Sequence, residues 1–200
     1  MRMTESYRER YDEFFWSAFR ESISSNQRNI VAEFGCGPGL FLSDAVDYFN
    51  PTFVYGFDAS QEMLDHAKIS LSSKLSEDRF SLEQIDFDRK DIPIDDEIID
   101  FSFSGFFLHE VEHPESHIRD VFTCLNSNGI YAVYDFVSGN KDAFVQAMMK
   151  RGMSSERAEA RYPHMCRHSI DDIVLLFEDS DYDAEPIKID EFRALVVGTK

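Results

Sequence analysis

Hydrophobic and polar positions switch between two periods along this chain, and the switching predicts its elements. Over residues 7–20, Tyr11, Phe14, Phe15, Ala18 and Phe19 recur at helical spacing and predict an amphipathic N-terminal helix. Residues 30–34 form a short apolar run that ends in glycines, the mark of a buried strand. Residues 40–49 read as a helix, 53–57 as a second strand, and Ser60 is placed to cap a helix running to about Leu71. A third strand is expected over 80–85, and Ile98, Ile99, Phe101 and Phe103 mark a fourth. Ile118, Val121, Phe122 and Leu125 share one helix face, and Asn128-Gly129 then turns the chain into a fifth strand over 130–136. Helices follow over about 142–151 and 154–161. Ser169 opens another, with Ile170, Ile173, Val174 and Phe177 inward and Asp172 placed for a capping box. Two strands, 186–189 and 193–197, close the chain.

Strands alternating with helices imply a largely parallel sheet covered on both faces, an α/β architecture. At 200 residues one domain suffices, with 1–28 as an N-terminal helical cap and 140–168 as a helical insert or lid. Hydrophobic residues at 43% exclude a disordered or fibrous chain. Charge narrows the partners: 38 acidic against 20 basic residues give a net charge of −18, which repels phosphate backbones and anionic lipid. The basic residues Arg151, Arg157, Arg161 and Arg167 are interrupted by acidic ones, so no nucleic acid and no membrane partner is expected. The N-terminus lacks the apolar run of a signal peptide. Cys36, Cys124 and Cys166 form no CxxC pair and leave an odd thiol in any disulfide scheme, which suits a reducing, cytoplasmic location.

The richest chemical signal is Glu33-Phe34-Gly35-Cys36-Gly37-Pro38-Gly39, directly after the first strand. Glycines at alternate positions permit a sharp turn and leave bare main chain against which a ligand can lie, while the following helix offers unpaired N–H groups. A plain strand-to-helix turn rarely needs three glycines. Dinucleotide sites favour GxGxxG around a pyrophosphate. Here the spacing is GxGxG, and the carboxylate two positions before it suits a cationic ligand better than a diphosphate.

In this E-x-G-x-G-x-G run the sequence resembles the class I S-adenosylmethionine-dependent methyltransferases. The resemblance implies a Rossmann-like three-layer sandwich, with a mostly parallel seven-stranded sheet whose last strand is antiparallel, and S-adenosyl-L-methionine as cofactor. It extends to Gly56-Phe57-Asp58-Ala59-Ser60-Gln61-Glu62-Met63-Leu64, where Asp58 would accept the ribose hydroxyls and Ala59 and Met63 would border the adenine. In Ile85-Asp86-Phe87-Asp88, the resemblance gives Asp86 the adenine amino group and Phe87 a backbone contact to the ring; Asp86, Asp88 and Asp91 also make a charge-rich turn that solvent alone explains. Ile92-Pro93-Ile94 through Asp100 looks like the family's run into strand four, after which Ser104, Gly105 and Phe106 would line the methionine side. The cofactor set implied is therefore Glu33, Gly35, Cys36, Gly37, Gly39, Asp58, Ala59, Met63, Asp86, Phe87 and Ser104. Glu33 departs from the family's commoner Asp and has a longer reach.

Two histidine patterns compete for attention. His109-Glu110-Val111-Glu112-His113 has the wording H-E-x-x-H of zinc peptidases, which requires both histidines on one helix face; Pro114 instead favours an extended His113. His164, Cys166 and His168 would point the same way in an extended segment and suit a soft metal, although a polar loop with a buried cysteine explains them as well. No metal is expected.

Methyl transfer from a sulfonium is an in-line displacement in which the protein aligns the acceptor and excludes water. If the acceptor needs a base, His109 is the candidate catalytic residue, with Glu110 and His113 behind it. The acceptor is expected to be a small molecule, held by Tyr7, Tyr11 and Phe15 of the N-terminal helix and by Met148, Met149, Met153, Tyr162 and Met165 of the insert, unless those methionines only fill core gaps. Two alternatives stand beside this reading: a nucleotide-dependent oxidoreductase on a similar fold, and a methyltransferase-like binding or scaffold protein without turnover.

Overall fold

In the computed structural model, which describes residues 2–88 and 92–200, one sheet organises the chain. Its strands are β1 (Ile30–Phe34), β2 (Phe53–Asp58), β3 (Phe80–Gln84), β4 (Ile99–Gly105), β5 (Leu125–Phe136), β6 (Asp183–Lys188) and β7 (Arg193–Thr199). They lie in the order β3-β2-β1-β4-β5-β7-β6. β1 to β5 pair in parallel, and β7 runs antiparallel to both β5 and β6. The helices are α1 (Arg2–Arg10), α2 (Glu13–Ser22), α3 (Leu40–Phe49), α4 (Gln61–Ser72), α5 (Pro114–Cys124), α6 (Lys141–Lys150), α7 (Ser155–Met165) and α8 (Ile170–Glu178). This is the Rossmann-like sandwich that the resemblance implies, antiparallel last strand included.

The strand period of two assigns the layers. On β4, Phe101 and Phe103 enter a buried cluster with Phe15, Phe19, Phe41, Phe49 and Tyr134. The opposite face packs Phe34, Phe57, Ile118, Val121, Tyr131 and Phe177. A third cluster, built on Phe136, Phe144, Met148, Cys166 and Phe192, joins α6 and α7 to the sheet. The three cysteines are all free and buried.

Several local expectations are corrected. The N-terminal helix is two helices, because Asp12 becomes the N-cap of α2 and accepts from the Phe15 N–H at 3.1 Å. Arg193 holds that break: its Nη2 donates to Asp12 Oδ2 at 2.7 Å and its Nη1 to the Arg10 carbonyl at 2.8 Å, which also accepts from the Tyr134 hydroxyl at 2.8 Å. Asn128-Gly129 does not precede β5 but lies within it, as an irregularity with Asn128 at φ 67°; the partner register steps from Ile99↔Leu125 to Phe101↔Ile130. α7 continues past residue 161 through Pro163 to Met165. The capping box of Ser169 and Asp172 is present. Asp91, the third acid of the charge-rich turn, lies outside the described residues. No helix among the described residues is long and apolar enough to cross a membrane.

Candidate functional site

The loop after β1 takes its shape from three glycines with positive φ, at 74°, 50° and 68° for Gly35, Gly37 and Gly39. Their reasons differ. A Cβ on Gly35 would meet the Phe107 ring at 2.3 Å, and one on Gly39 would meet the Ala67 side chain of α4 at 2.9 Å, so both are packing glycines. A Cβ on Gly37 would meet nothing within 4 Å. Gly37 is therefore the loop glycine whose bare face looks into open space.

Asp58, at the end of β2, binds the loop itself. Its Oδ2 accepts the Gly37 N–H at 2.8 Å and its Oδ1 accepts the Ser60 N–H at 2.9 Å. A carboxylate has about four acceptor positions, so both oxygens keep capacity for a ligand's hydroxyls. Ser60 also caps α4 through the Met63 N–H.

Beside the loop lies a cavity of about 390 Å³, roofed by Ser6, Tyr7, Arg10 and Tyr11 and floored by Glu33, Gly35, Cys36 and Gly37, with Met63, Gly105 and Phe106 on its walls. The roof is fastened down by the Tyr7 hydroxyl, which donates to Asp44 Oδ2 of α3 at 2.6 Å, and by the Tyr7 ring stacked on Tyr11 at 4.4 Å. Gly105 has to be glycine, since a Cβ there would stand 1.8 Å from the Tyr11 hydroxyl oxygen.

Glu33 sits on the cavity floor, 3% exposed, and its Oε2 is buried without a hydrogen-bond partner. Burial first, then the charges of Asp58 and Asp44, push its carboxyl well above the ordinary range, against a backbone N–H from Leu42 that favours the charged form. A buried acceptor without a donor costs stability unless something pairs with it, and a cation is the partner that a carboxylate favours. Burial and the nearby Glu33 likewise push the Tyr11 hydroxyl and the Cys36 thiol up, so both stay protonated. The residues present thus fit an adenosyl sulfonium carrying an ammonium: an open glycine, an acidic residue at the end of β2, and an unsatisfied buried carboxylate oxygen.

The remaining expected positions fall in two groups. Ala59 is exposed beside Asp58, and its carbonyl accepts from Gln84 Nε2 at 2.8 Å. Asp86 is exposed after β3, with its Oδ1 accepting the Asp88 N–H at 3.3 Å. Phe87 turns inward, against Phe107 at 5.4 Å and His117 at 5.2 Å. Ala59, Asp86 and Phe87 do not line the cavity.

Ser104 is corrected by strand alternation: it shares a face with Ser102, is fully buried, and its Oγ lies 2.8 Å from the Tyr131 hydroxyl, so Gly105 and not Ser104 meets the cavity. Sequence reading did not single out His117, whose Nε2 meets the same Tyr131 hydroxyl at 3.2 Å; burial pushes its pKa down to about 3, so the ring is neutral.

His109 is 4% exposed and does not line the cavity. Its Nδ1 lies 2.7 Å from Asp135 Oδ1, its backbone N–H donates to Asp135 Oδ2 at 3.0 Å, and its Nε2 lies 3.3 Å from Glu110 Oε1. Burial opposes the charged ring, but Asp135 and then Glu110 outweigh it and raise the pKa. Glu110 reaches on to His164 Nε2 at 3.1 Å.

The H-E-x-x-H run is not helical where zinc would need it: His109 lies in a 3-10 turn, and His113 is the residue before α5 with Pro114 at its first position. His164 lies in the last turn of α7 and Cys166 is its C-cap, so the extended alignment with His168 is absent. Among the described residues no three His, Cys, Asp or Glu side chains are arranged to hold a metal ion. Of the insert methionines, Met148 is buried in the third cluster and Met153 and Met165 pack against it, whereas Met149 is exposed; none of the four borders the cavity.

Comparison with known proteins agrees with this geometry. A family profile described as a methyltransferase domain matches residues 32–133, just over half of the chain. Among curated proteins, none matches the sequence. A solved S-adenosylmethionine-dependent methyltransferase from Aquifex aeolicus superposes with a TM-score of 0.70 at 17% identity, over 96% of this chain and 92% of that one. One from Mesorhizobium loti gives 0.69 at 17% identity, over 94% and 98%. A chain from the complex between the Haloferax volcanii Trm112 methyltransferase activator and a methyltransferase gives 0.71 at 18% identity, over 98% and 93%. At these identities the structures speak for the fold.

Proposed function

The chain belongs to the methyltransferase-domain family, with S-adenosylmethionine as its cofactor, and from that premise we propose that it transfers the cofactor's methyl group to a small-molecule acceptor held in the cavity beneath α1. The observation that carries this reading is the unpartnered, buried Glu33 oxygen on the floor of a cavity that continues onto the open face of Gly37.

When bound, the cofactor supplies a methyl group on a positively charged sulfur, ready for in-line displacement. The protein's own residues do the rest. Gly37 leaves room for the ligand against the loop, and Asp58 offers its remaining acceptor positions to hydroxyls while keeping the loop's shape. We assign Asp86 and the Phe87 backbone to the adenine, with Ala59 and Met63 at its edge. Glu33 takes the ammonium, which draws its carboxyl back to the charged form.

The cap, residues 1–28, excludes water by laying Tyr7, Arg10 and Tyr11 over the cavity. Aromatic walls from Tyr11, Phe41 and Phe106 suit an acceptor with an apolar body. The surface charge of −18 also argues against a nucleic acid. The insert, residues 140–168, buttresses that roof: Arg151 Nη2 donates to the Glu9 carbonyl at 3.0 Å.

For His109 we propose the narrower role of a positioning residue. Through Asp135 it anchors to β5 the turn that follows Phe106 and Phe107.

Incubation with methyl-labelled cofactor and fractionated cell extract tests the acceptor class. Label appearing in the dialysable fraction, with S-adenosylhomocysteine released, is the expected result. Label confined to protein or nucleic acid overturns the small-molecule reading, and cofactor binding without any transfer favours a scaffold protein.

A further inference from the structure

The two histidine motifs of the sequence meet across one seam: His109-Glu110-Val111-Glu112-His113 after β4, and His164-Met165-Cys166-Arg167-His168 at the end of α7. Glu110 is the bridge. Its Oε1 lies 3.3 Å from His109 Nε2 and its Oε2 lies 3.1 Å from His164 Nε2, with the two rings 5.8 Å apart. Beside it, Arg167 Nη1 donates to the Val111 carbonyl at 2.9 Å and Nη2 to the Glu112 carbonyl at 3.5 Å. Two fastenings therefore hold the end of the insert to the turn after β4.

They respond differently to protons. A guanidinium keeps its charge and a carbonyl does not titrate, so the Arg167 bonds are permanent. The Glu110 bridge depends on His109. Asp135 Oδ2 takes the His109 backbone N–H at 3.0 Å and Oδ1 takes the Phe136 N–H at 2.7 Å. A carboxylate only accepts, so His109 Nδ1, 2.7 Å from Oδ1, carries a hydrogen. A neutral imidazole has one N–H and no more. Nε2 can thus donate to Glu110 only from the imidazolium, and a neutral ring turns a lone pair on the carboxylate. Glu110 and His164 are 58% and 60% exposed, so Glu110 then has water to turn to. We propose that the His109–Glu110–His164 bridge is a proton-dependent strap on the insert, closed while His109 holds two protons and released when it gives one up.

The other titrating groups along the seam leave the switch to His109. Burial first, and then Arg167, lower the pKa of His168 against the pull of Asp135 and Asp172, so that ring is neutral. Burial pushes the Cys166 thiol up to about 12. His113 meets Glu115 at 3.9 Å. On His109 burial opposes the charge, but Asp135 and then Glu110 outweigh it, so release falls above the ordinary histidine value of about 6.5. The strap bears on the cavity because the insert reaches it twice: Arg151 holds the Glu9 carbonyl of the roof, and Phe136 of the third cluster packs at 4.6 Å on Phe106 of the cavity wall. A released insert loosens that side of the cavity.

Hydrogen exchange of the whole protein, read by mass spectrometry and corrected for the intrinsic effect of pH, tests the strap without any ligand, so its outcome is independent of the cofactor reading. Peptides of α7 should exchange roughly two- to fivefold faster at pH 9 than at pH 6, the scale of one partly exposed ion pair, while those of β4 and β5 keep their rates. Glu110→Ala should exchange in α7 at pH 6 as the unaltered protein does at pH 9, with the pH dependence gone. Glu110→Gln, whose amide can donate to the neutral ring as well as accept, should hold α7 at both pH values. His164→Ala, a change at an exposed position, gives the same reading as Glu110→Ala where that variant does not fold. Exchange of α7 that is independent of pH in the unaltered protein overturns the strap. So does a pH dependence that survives Glu110→Ala or His164→Ala, and so does an equal rise through β4 and β5, which is loosening of the whole domain.

Discussion

Gly37→Ala separates what the loop needs in order to fold from what it needs in order to bind. At φ 50° an alanine sits in the left-handed region, which costs about 1–2 kcal/mol. Nothing else is lost within the protein, because the new Cβ has no neighbour within 4 Å and the N–H that Asp58 accepts is kept. For a chain of this length that strain lowers the melting temperature by about 2–8 °C. Gly152, in the turn between α6 and α7, supplies the control: its φ is 87° and its Cβ would also meet nothing within 4 Å. The two variants should therefore melt alike. They should part on binding, because only at Gly37 is the open space the ligand's. A methyl group standing there should weaken S-adenosylhomocysteine by at least about tenfold, or about 1.4 kcal/mol, while Gly152→Ala binds as the unaltered protein does. Melting curves and calorimetry on the pair decide it. Equal affinity in both variants would refute the argument that the open face of Gly37 is a ligand surface.

Other variants probe the two buried titrating groups. Glu33 keeps its proton in the folded state to a higher pH than in the unfolded chain, where it leaves near about 4.3. Above that value the folded state binds more protons than the unfolded one, so stability falls as pH rises through the raised pKa. Glu33→Gln escapes this, so its melting temperature should gain progressively on the unaltered protein as pH rises above about 4.3, while its affinity for S-adenosylhomocysteine drops. A variant that melts progressively lower than the unaltered protein as pH rises contradicts it. His109 has the opposite sign: its folded pKa is raised, so the stability it draws from Asp135 and Glu110 is fully present below about 6.5 and lost as pH rises through the folded value. His109→Gln should cost about 1–3 kcal/mol in urea unfolding at acid pH and less at alkaline pH, and should lower turnover more than cofactor affinity. A cost that grows with pH, or turnover left intact, rejects the positioning role.

Legibility from sequence followed the range of the interactions. The glycine loop and the Ser169–Asp172 capping box are local signals, and the structure has both. The seven-stranded, mostly parallel sheet with its antiparallel last strand came through the resemblance, since strand pairing is non-local. The break at Asp12 was hidden because helical spacing runs on from Tyr11 to Phe15, and only Arg193, 181 residues away, settles the chain there. Ser104 could have been placed from the sequence: alternation with Phe101 and Phe103 sends it to the opposite face, toward Tyr131. His109 could not. Whether a histidine meets a cavity or a buried aspartate depends on contacts with β5.

The central claim is that the loop from Gly35 to Gly39, with Glu33 beneath it and Asp58 behind it, is a berth for an adenosyl sulfonium. Parallel titration of the unaltered protein with S-adenosylhomocysteine and with NADH tests it directly. One-site heat with the first and none with the second is the predicted outcome; heat with NADH alone, or with neither, contradicts it.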